Sequence, residues 1–272
     1  MGRRFTKIPE STFNELQINA GVVLKRFDPE DPVISTGGNI TEGFEKLTVA
    51  TTLQAPAKSI DINEKITAQD AQSLAGKSVK IGENSYTVES ATVGSGSSKA
   101  QIKTKENVAV ADGTTGNAVT LDSDIVCATT GGITVTCKPT FNDYGSDIDN
   151  VPDNTKELLQ IDGYDCSLGF TALNITEETL RLSLGAADVV GGKIVPRMTP
   201  NIDKDFKNVW WVGDRTDGSF VAVCLKNGMS SDGLSLKTIK NGKGQLSVTL
   251  KGFVTIKNVD DVPMLFYIGQ EE

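Results

Sequence analysis

Histidine is absent from this sequence of 272 residues. Its absence excludes Ser-His-Asp and Cys-His catalytic arrangements, HExxH zinc sites and imidazole proton shuttles. Chemistry based on carboxylates, lysine or tyrosine is not excluded by this argument. The commonest enzyme arrangements are therefore ruled out before any motif is considered.

Cysteine is scarce, with four residues at positions 127, 137, 166 and 224, and none of them forms a CxxC pair. This spacing argues against a zinc ribbon or a thioredoxin-type motif. Cys166 and Cys224 occupy apolar positions of predicted strands, which predicts buried free thiols. A reducing compartment agrees with that interpretation.

Long apolar runs are also missing, since none approaches the ~20 residues that span a bilayer. The basic start Met-Gly-Arg-Arg is not followed by an apolar segment, so we expect neither a signal peptide nor a membrane partner. The net charge is -8. Proteins that bind nucleic acid through phosphates need a Lys/Arg surplus, so this charge argues against such binding, while it is compatible with a chain that lies beside nucleic acid without holding it.

The residues present divide the chain into three regions. Residues 1–45 contain a predicted strand around Val22–Phe27, which ends at two prolines. Residues 46–125 lack tryptophan and carry short alternating segments separated by glycine-rich turns. This pattern predicts a small antiparallel β-rich module with one short helix, Ala68–Ala75. The change in composition indicates a module inserted between residues 1–45 and 126–272.

Residues 126–272 carry the strongest strand signals. Apolar residues alternate with polar ones around Tyr164–Phe170 and over about twelve residues at 246–257, which predicts strands with one apolar face. Thr176 is predicted to cap a helix that packs on a sheet through Leu180 and Leu184.

The segment Phe220–Leu225 is apolar on both faces. Both faces of such a strand must be covered. The second cover is either the helix or a neighbouring subunit, and the sequence leaves both open.

Three motifs could carry chemistry, and each has a plainer interpretation. Gly76-Lys77 belongs to a relaxed Walker A pattern, but a helix is predicted before it and a strand after it, the reverse of a P-loop. The acidic stretch 143–153 lacks the ligand series of an EF-hand and favours a solvated or interface loop. Trp210 and Trp211 are predicted to face opposite sides of a strand, one in the core and one at an interface.

Several segments, in this order, resemble the major tail (tail tube) proteins of long-tailed, siphovirus-type bacteriophages and prophages of Gram-positive bacteria. The resemblance covers roughly residues 5–45 and 126–268 and leaves 46–125 unmatched. The segments that carry it are 13–21, Phe27-Asp-Pro29, 129–133, 139–150, 154–158, 184–188, 205–214, 241–245 and 262–267.

The resemblance implies a mainly β fold, an antiparallel β-sandwich or barrel with one flanking α-helix. It implies a virion structural protein, made in the host cytoplasm, that self-assembles into hexameric rings. The rings stack into a hollow conduit around the tape-measure protein, and DNA later passes without specific binding. It implies no enzymatic activity, no cofactor and no metal.

Candidate residues follow from this resemblance and from the strand pattern. The polar faces predicted to line the lumen comprise Thr134, Thr136, Ser247, Thr249, Lys251 and Thr255; an ordinary solvated face is the alternative. The predicted subunit or ring interface comprises Asp143, Asp147, Asp149, Trp210 and Trp211. The inserted module is predicted to project from the tube exterior, or to be a mere elaboration of the fold.

Other classes remain as alternatives. A β-rich carbohydrate-binding or adhesin module is suggested by the two tryptophans and the Ser/Thr-rich insert. Another tail component, such as a terminator or baseplate ring protein, would form one ring and never a stack. An ATPase that uses Lys77 is disfavoured by the reversed order of helix and strand.

Overall fold

The computed structural model describes residues 16–30, 32–38, 40, 47–95, 98–190, 192–240, 242–257 and 261–269. Residues 13–15 and Asn241, which contribute to the family resemblance, lie outside these ranges. The chain folds as two compact units, one of residues 1–26 with 126–272 and the other of residues 27–125. The protein is mainly β with antiparallel strand pairs, which confirms the predicted fold class.

The elements of the described residues are numbered in chain order. The helices are α1 (Ala68–Leu74) and α2 (Glu177–Leu184). The strands are β1 (Gln17–Leu24), β2 (Thr36–Gly38), β3 (Leu47–Thr48), β4 (Ala57–Ile62), β5 (Ser78–Ile81), β6 (Asn84–Thr92), β7 (Ala100–Val108), β8 (Ala118–Ser123), β9 (Ile125–Cys127), β10 (Thr129–Asp143), β11 (Leu159–Ala172), β12 (Ala187–Val190), β13 (Lys193–Pro196), β14 (Lys207–Arg215), β15 (Phe220–Ser230), β16 (Ser235–Lys237), β17 (Gln245–Lys251) and β18 (Met264–Ile268).

The first unit is built on one nine-stranded sheet. Its strand order is β10-β11-β17-β15-β14-β1-β9, with β16 beside β17 and β18 beside β15. Strand β15 serves two parts of this sheet, because residues 221–225 pair with β14 and β18 whereas Met229 and Ser230 pair with β17. The change of partner follows Asn227, whose φ is +48°. Its side-chain amide donates to the Phe253 carbonyl at 2.9 Å, which holds this irregular backbone.

The core of the first unit lies between the inward faces of these strands and α2. Cys166, Leu168, Leu225 and Leu250 are buried there. Helix α2 begins at the predicted cap, since the Thr179 amide donates to the Thr176 hydroxyl at 3.2 Å. Leu180 and Leu182 pack on the core, where the sequence predicted Leu180 and Leu184.

Strand β15 is buried on both faces in the single chain. The four residues 222–225 have exposures of 2% or less. Val223 and Leu225 belong to the core against which α2 packs. The single chain thus already buries residues 222–225 on both faces, and α2 packs on the face that carries Val223 and Leu225.

The second unit is a small closed barrel. Its strand order is β2-β8-β5-β6-β7-β4, and β3 pairs with β8. A bridge between Val49 and Ile62 joins the end of β3 to β4, with the Ala50 amide donating to the Asp61 carbonyl at 2.7 Å. This closure turns the strands from β3 through β8 to β4 into a ring, which removes the open edges of β3 and β4. Leu47, Ile60, Ile81 and Ile102 lie in its separate apolar core.

The second unit begins earlier in the chain than the predicted insert. The compact unit and the predicted module both end at residue 125, but the unit starts at Phe27 and the module starts at residue 46. The reason is that β2 pairs with β8, and the Ser35 amide donates to the buried Asp124 carboxylate at 2.9 Å. Helix α1 lies within one residue of its predicted bounds, with Thr67 as its cap.

The predicted strand of about twelve residues over 246–257 is wrong in length. Strand β17 ends at Lys251. At the next residue, Gly252, an added Cβ would lie 2.9 Å from Leu225 Cδ1 and 3.0 Å from the Pro263 carbonyl oxygen. The alternation continues in the sequence, but Val254 and Ile256 are exposed at 49% and 95%.

Candidate functional site

A continuous polar surface covers one face of the three strands β10, β11 and β17. Directly opposed residues of antiparallel strands share a face, so the registers define rows across the sheet. One row is Thr134, Gly169 and Thr249, and the next is Thr136, Ser167 and Lys251. Ser247 lies opposite Thr171 in a third row. The structure thus brings together five of the six residues proposed for the lumen.

Thr255 is the exception. It lies beyond the end of β17, in irregular chain after Gly252, and therefore does not share this face. The polar surface itself is rich in hydroxyls. An ion pair on it joins Lys251 Nζ to Asp165 Oδ1 at 2.8 Å, and both side chains are about half exposed.

The opposite face of the same strands is apolar and faces the core. Leu168, Phe170, Leu246 and Leu250 are buried, and Val135 packs against them. This division between a polar and an apolar face confirms the predicted alternation for residues 166–171 and 246–250, which are parts of the two predicted runs.

The hairpin of β10 and β11 extends beyond the strands that support it. Pairing with β17 covers residues 167–172 of β11, whereas β10 and β11 pair over their whole lengths. We call residues 138–165 the arm. Its strands are mostly exposed, in contrast to the buried residues that follow Asp165 in β11.

An apolar stripe continues from the core onto the arm. Positions 133, 135, 137, 139 and 141 of β10 share the core face. On the arm this face presents Pro139 opposite Tyr164 and Phe141 opposite Ile161. Phe141, Ile161 and Tyr164 are exposed at 56%, 46% and 37%, so the described chain leaves this part of the apolar face uncovered.

A β-bulge at Asp162 keeps the stripe continuous. Thr140 pairs with Gly163 and Phe141 pairs with Ile161, so Asp162 is an extra residue on β11. A strict alternation of side chains through Asp162 would place Ile161 on the polar face, and the bulge instead keeps Ile161 opposite Phe141. Sequence reasoning missed the stripe because the bulge breaks the period of two.

The tip of the arm is a compact loop that carries the acidic residues. The Asp143 carboxylate accepts from the Gly145 amide at 2.9 Å and from the Asn154 amide at 2.8 Å, so this residue holds the loop together. Asp147 and Asp149 are exposed at the tip. Of the three predicted interface carboxylates, two are therefore exposed and one is engaged within the loop.

Trp210 and Trp211 lie on opposite faces of β14 and both are half-buried. Trp211 packs against the core and donates from its indole nitrogen to the Ala20 carbonyl at 3.0 Å. The Trp210 ring contacts Tyr267, with ring centroids 5.6 Å apart. Within the described ranges, no hydrogen bond or ring contact joins Trp211 to Asp147 or Asp149.

Helix α1 precedes the Gly76-Lys77 dipeptide and β5 follows it. Gly76 has a φ of +76° immediately after the C-cap, the usual place for glycine at a helix end. In the part of the chain that the structure describes, no group of three or more Cys, Asp or Glu side chains could hold a metal ion. Among the same residues, no helix is long and apolar enough to cross a membrane.

Three cysteine thiols are buried, as predicted for Cys166 and Cys224. Burial raises the pKa of Cys127 to about 12, and the nearby Glu178 carboxylate adds to the effect. Burial likewise raises the pKa of Cys224 to about 11. The thiols of Cys127 and Cys224 are therefore protonated at physiological pH.

Comparison with family models, curated proteins and solved structures finds no match to this chain. The resemblance to tail tube proteins therefore remains a prediction from the sequence motifs.

Proposed function

We propose that the chain is a structural subunit of a bacteriophage tail tube, which forms rings that stack into a hollow conduit. The observation that carries the proposal is the arm. Its stripe of Phe141, Ile161 and Tyr164 continues the core face but has no cover within the described chain. Exposed apolar surface that continues a core is typical of a contact with another molecule.

The edge of the sheet is evidence that this other molecule is a second copy of the chain. Strand β10 lies at the end of the strand order, and along the arm it pairs with β11 on one side. With 15 residues it is much longer than an ordinary strand. A long unpaired edge invites pairing with another chain, and a closed ring of subunits removes such edges.

The polar face of β10, β11 and β17 is suited to line the inner wall of the proposed tube. Thr134, Thr136, Ser247 and Thr249 present hydroxyls, and the Asp165–Lys251 pair is neutral as a unit. The chain as a whole carries a net charge of -8. Lys138, opposite Asp165, and Lys237, opposite Gln245, add two exposed cations to this face. Passage of DNA and a tape-measure protein without specific binding therefore rests on the sparse charge of the wall and on the negative charge of the whole chain.

The direct test is the assembly state of the purified full chain. Sedimentation velocity over a range of concentrations, with negative-stain images of the same samples, should show rings or hollow rods. The double variant Phe141→Ser/Ile161→Ser should fold with an unchanged Tm, because both side chains are already exposed, but should fail to assemble. Thr140→Ala/Gln160→Ala changes exposed residues on the other face of the same arm and serves as the matched control.

The outcomes separate the proposed function from its alternatives. A wild-type chain that stays a compact monomer at high concentration contradicts the tube. Rings that never stack favour a terminator or baseplate component. Glycan binding by a stable monomer favours the adhesin class.

A further inference from the structure

Two cysteines face each other across the hairpin of β10 and β11. Cys137 and Cys166 are paired in register, and their Sγ atoms lie 3.1 Å apart. Both thiols are free. Cys137 is half-buried and Cys166 is fully buried, so the pair has one side open to small reagents.

The backbone geometry at this pair suits a disulfide. The Cys166 carbonyl accepts from the Gly252 amide at 2.9 Å, on the β17 side of β11. The amide and carbonyl of a strand residue point to the same neighbour, so Cys166 and Cys137 form a non-hydrogen-bonded pair. Such pairs have Cα atoms about 4.5 Å apart, within the range that a disulfide spans. The Sγ atoms need to approach by roughly 1 Å to reach a bonded distance.

We propose that Cys137 and Cys166 form a redox site that a peroxide converts to an intramolecular disulfide. The Cys137 thiol loses its proton and the thiolate attacks hydrogen peroxide; an S–O bond forms as the O–O bond breaks, and the leaving hydroxide takes up the proton and departs as water. The Cys166 thiol then loses its proton and attacks the sulfenic acid; an S–S bond forms as the S–O bond breaks, and the second hydroxide takes up this proton and departs as water. Both thiols are oxidised and the peroxide is reduced to two waters.

The second step requires a buried thiol to ionise. Burial raises the pKa of Cys166 to about 12, and the contact with Cys137 adds to the effect. At neutral pH the reacting thiolate is therefore rare. Oxidation should be slow at neutral pH and should accelerate as the pH rises.

The position of the pair gives the disulfide a consequence for the arm. Cys166 directly follows the arm in β11, and Gly252 marks the end of its support by β17. A bond here would fix the root of the arm and close a loop with a sequence separation of 29. This site does not depend on the proposed function.

The test uses the full chain, oxidised with hydrogen peroxide, unfolded in denaturant and titrated for thiols. The Cys137 and Cys166 thiols should be lost and those of Cys127 and Cys224 retained, because the latter two are buried and only Cys166 lies against the half-buried Cys137. Peptide mapping of the wild-type protein should find residues 137 and 166 in one cross-linked peptide, which dithiothreitol separates. The oxidised protein should have a Tm higher by roughly 5–10 °C.

Two variants sharpen the result. Cys137→Ser should abolish the cross-linked peptide, and Cys127→Ser should keep it as the matched control. If either variant fails to fold, the wild-type peptide map decides. An intermolecular dimer, a sulfinic acid at Cys137 without a cross-link, or an oxidised protein with an unchanged Tm would overturn the proposal.

Discussion

The indole nitrogen of Trp211 reaches the Ala20 carbonyl across β14 and β1, at 3.0 Å. The adjacent Gly21 makes this approach possible. It has a φ of +69°, and an added Cβ would collide with the Val212 carbonyl oxygen and with Trp211 Nε1. The register of β1 shifts between Ile18 and Val22 at the same point.

Gly21→Ala should therefore destabilise the first unit by about 3 kcal/mol, since backbone strain and a steric clash act together. Urea unfolding followed by tryptophan fluorescence measures this effect, because both tryptophans lie in that unit. Gly233→Ala is the control, with a φ of +72° but open space around it, and should cost about 1 kcal/mol. Equal losses in the two variants would show that the clash at Gly21 is relieved.

A buried pair in the second unit predicts a pH dependence. The Tyr86 hydroxyl donates to Asp112 Oδ2 at 2.5 Å and accepts from the Ala109 amide at 3.1 Å. Burial opposes ionisation of Asp112, but hydrogen bonds from Tyr86, Asn84 and the Glu83 amide lower its pKa below 3.8 overall. Burial, with the bond to Asp112, raises the pKa of Tyr86 above 10.0.

Because the folded pKa of Asp112 is depressed, its stabilisation is complete above the unfolded value near 4. It is lost as pH falls toward the folded pKa. Tyr86→Phe should lower the stability of the second unit at pH 7 by about 1–3 kcal/mol and flatten the loss on acidification. Far-UV circular dichroism during thermal unfolding from pH 7 to pH 3 measures both effects.

Tyr144→Phe, at an exposed position in the tip loop, is the control and should match the wild type. On the alkaline side, the raised pKa of Tyr86 means that its contribution is complete below about pH 10 and declines above it. A Tyr86→Phe protein with wild-type stability and pH profile would contradict the assigned role.

Charge at the tip of the arm should affect assembly and leave folding intact. Asp147→Lys/Asp149→Lys changes two exposed side chains, so the Tm should stay within about 1 °C. If the loop contacts another subunit or ring, assembly should weaken by at least about 10-fold, and salt should reduce the defect. Asp147→Asn/Asp149→Asn separates lost charge from reversed charge, and analytical ultracentrifugation measures both. Normal assembly of the lysine variant would remove the loop from the interface.

Removal of the second unit should leave the first unit folded. The two cores share no residue, and the strands that flank the insert, β1 and β9, are neighbours in one sheet. A linker of about 4–6 residues in place of residues 27–124 should therefore preserve the fluorescence of the tryptophans and the assembly of the chain. The excised barrel should fold alone, as judged by circular dichroism. A shortened chain that folds but does not assemble would show that the second unit is needed for assembly.

Much of the fold was predictable from local pattern. The alternation over residues 166–171, the Thr176 cap and the short helix after Thr67 are each set by near neighbours in the chain, so the sequence displays them directly. The shared polar face of Thr134, Thr249 and their neighbours followed from the same period of two.

The remainder depends on contacts between distant segments. The end of β17 at Lys251 is set by the close approach of Gly252 to Leu225 and Pro263, which no local pattern encodes. The join between Val49 and Ile62 that closes the barrel is likewise non-local. The period of two places Cys137 on the same face as Ile133 and Val135. Its pairing with Cys166, however, depends on the register between β10 and β11, which the local pattern does not determine.

The extra residue at Asp162 lies between the pair Thr140–Gly163 and the pair Phe141–Ile161. Removal of Asp162 would leave Ile161 opposite Phe141 in a regular ladder, whereas lengthening or shortening both strands of the arm by one residue would turn the apolar stripe of the tip toward the hydroxyl-lined side. Lengthening or shortening both strands of the arm by two residues at a time would change its length and keep the apolar stripe on the side that faces a neighbouring subunit.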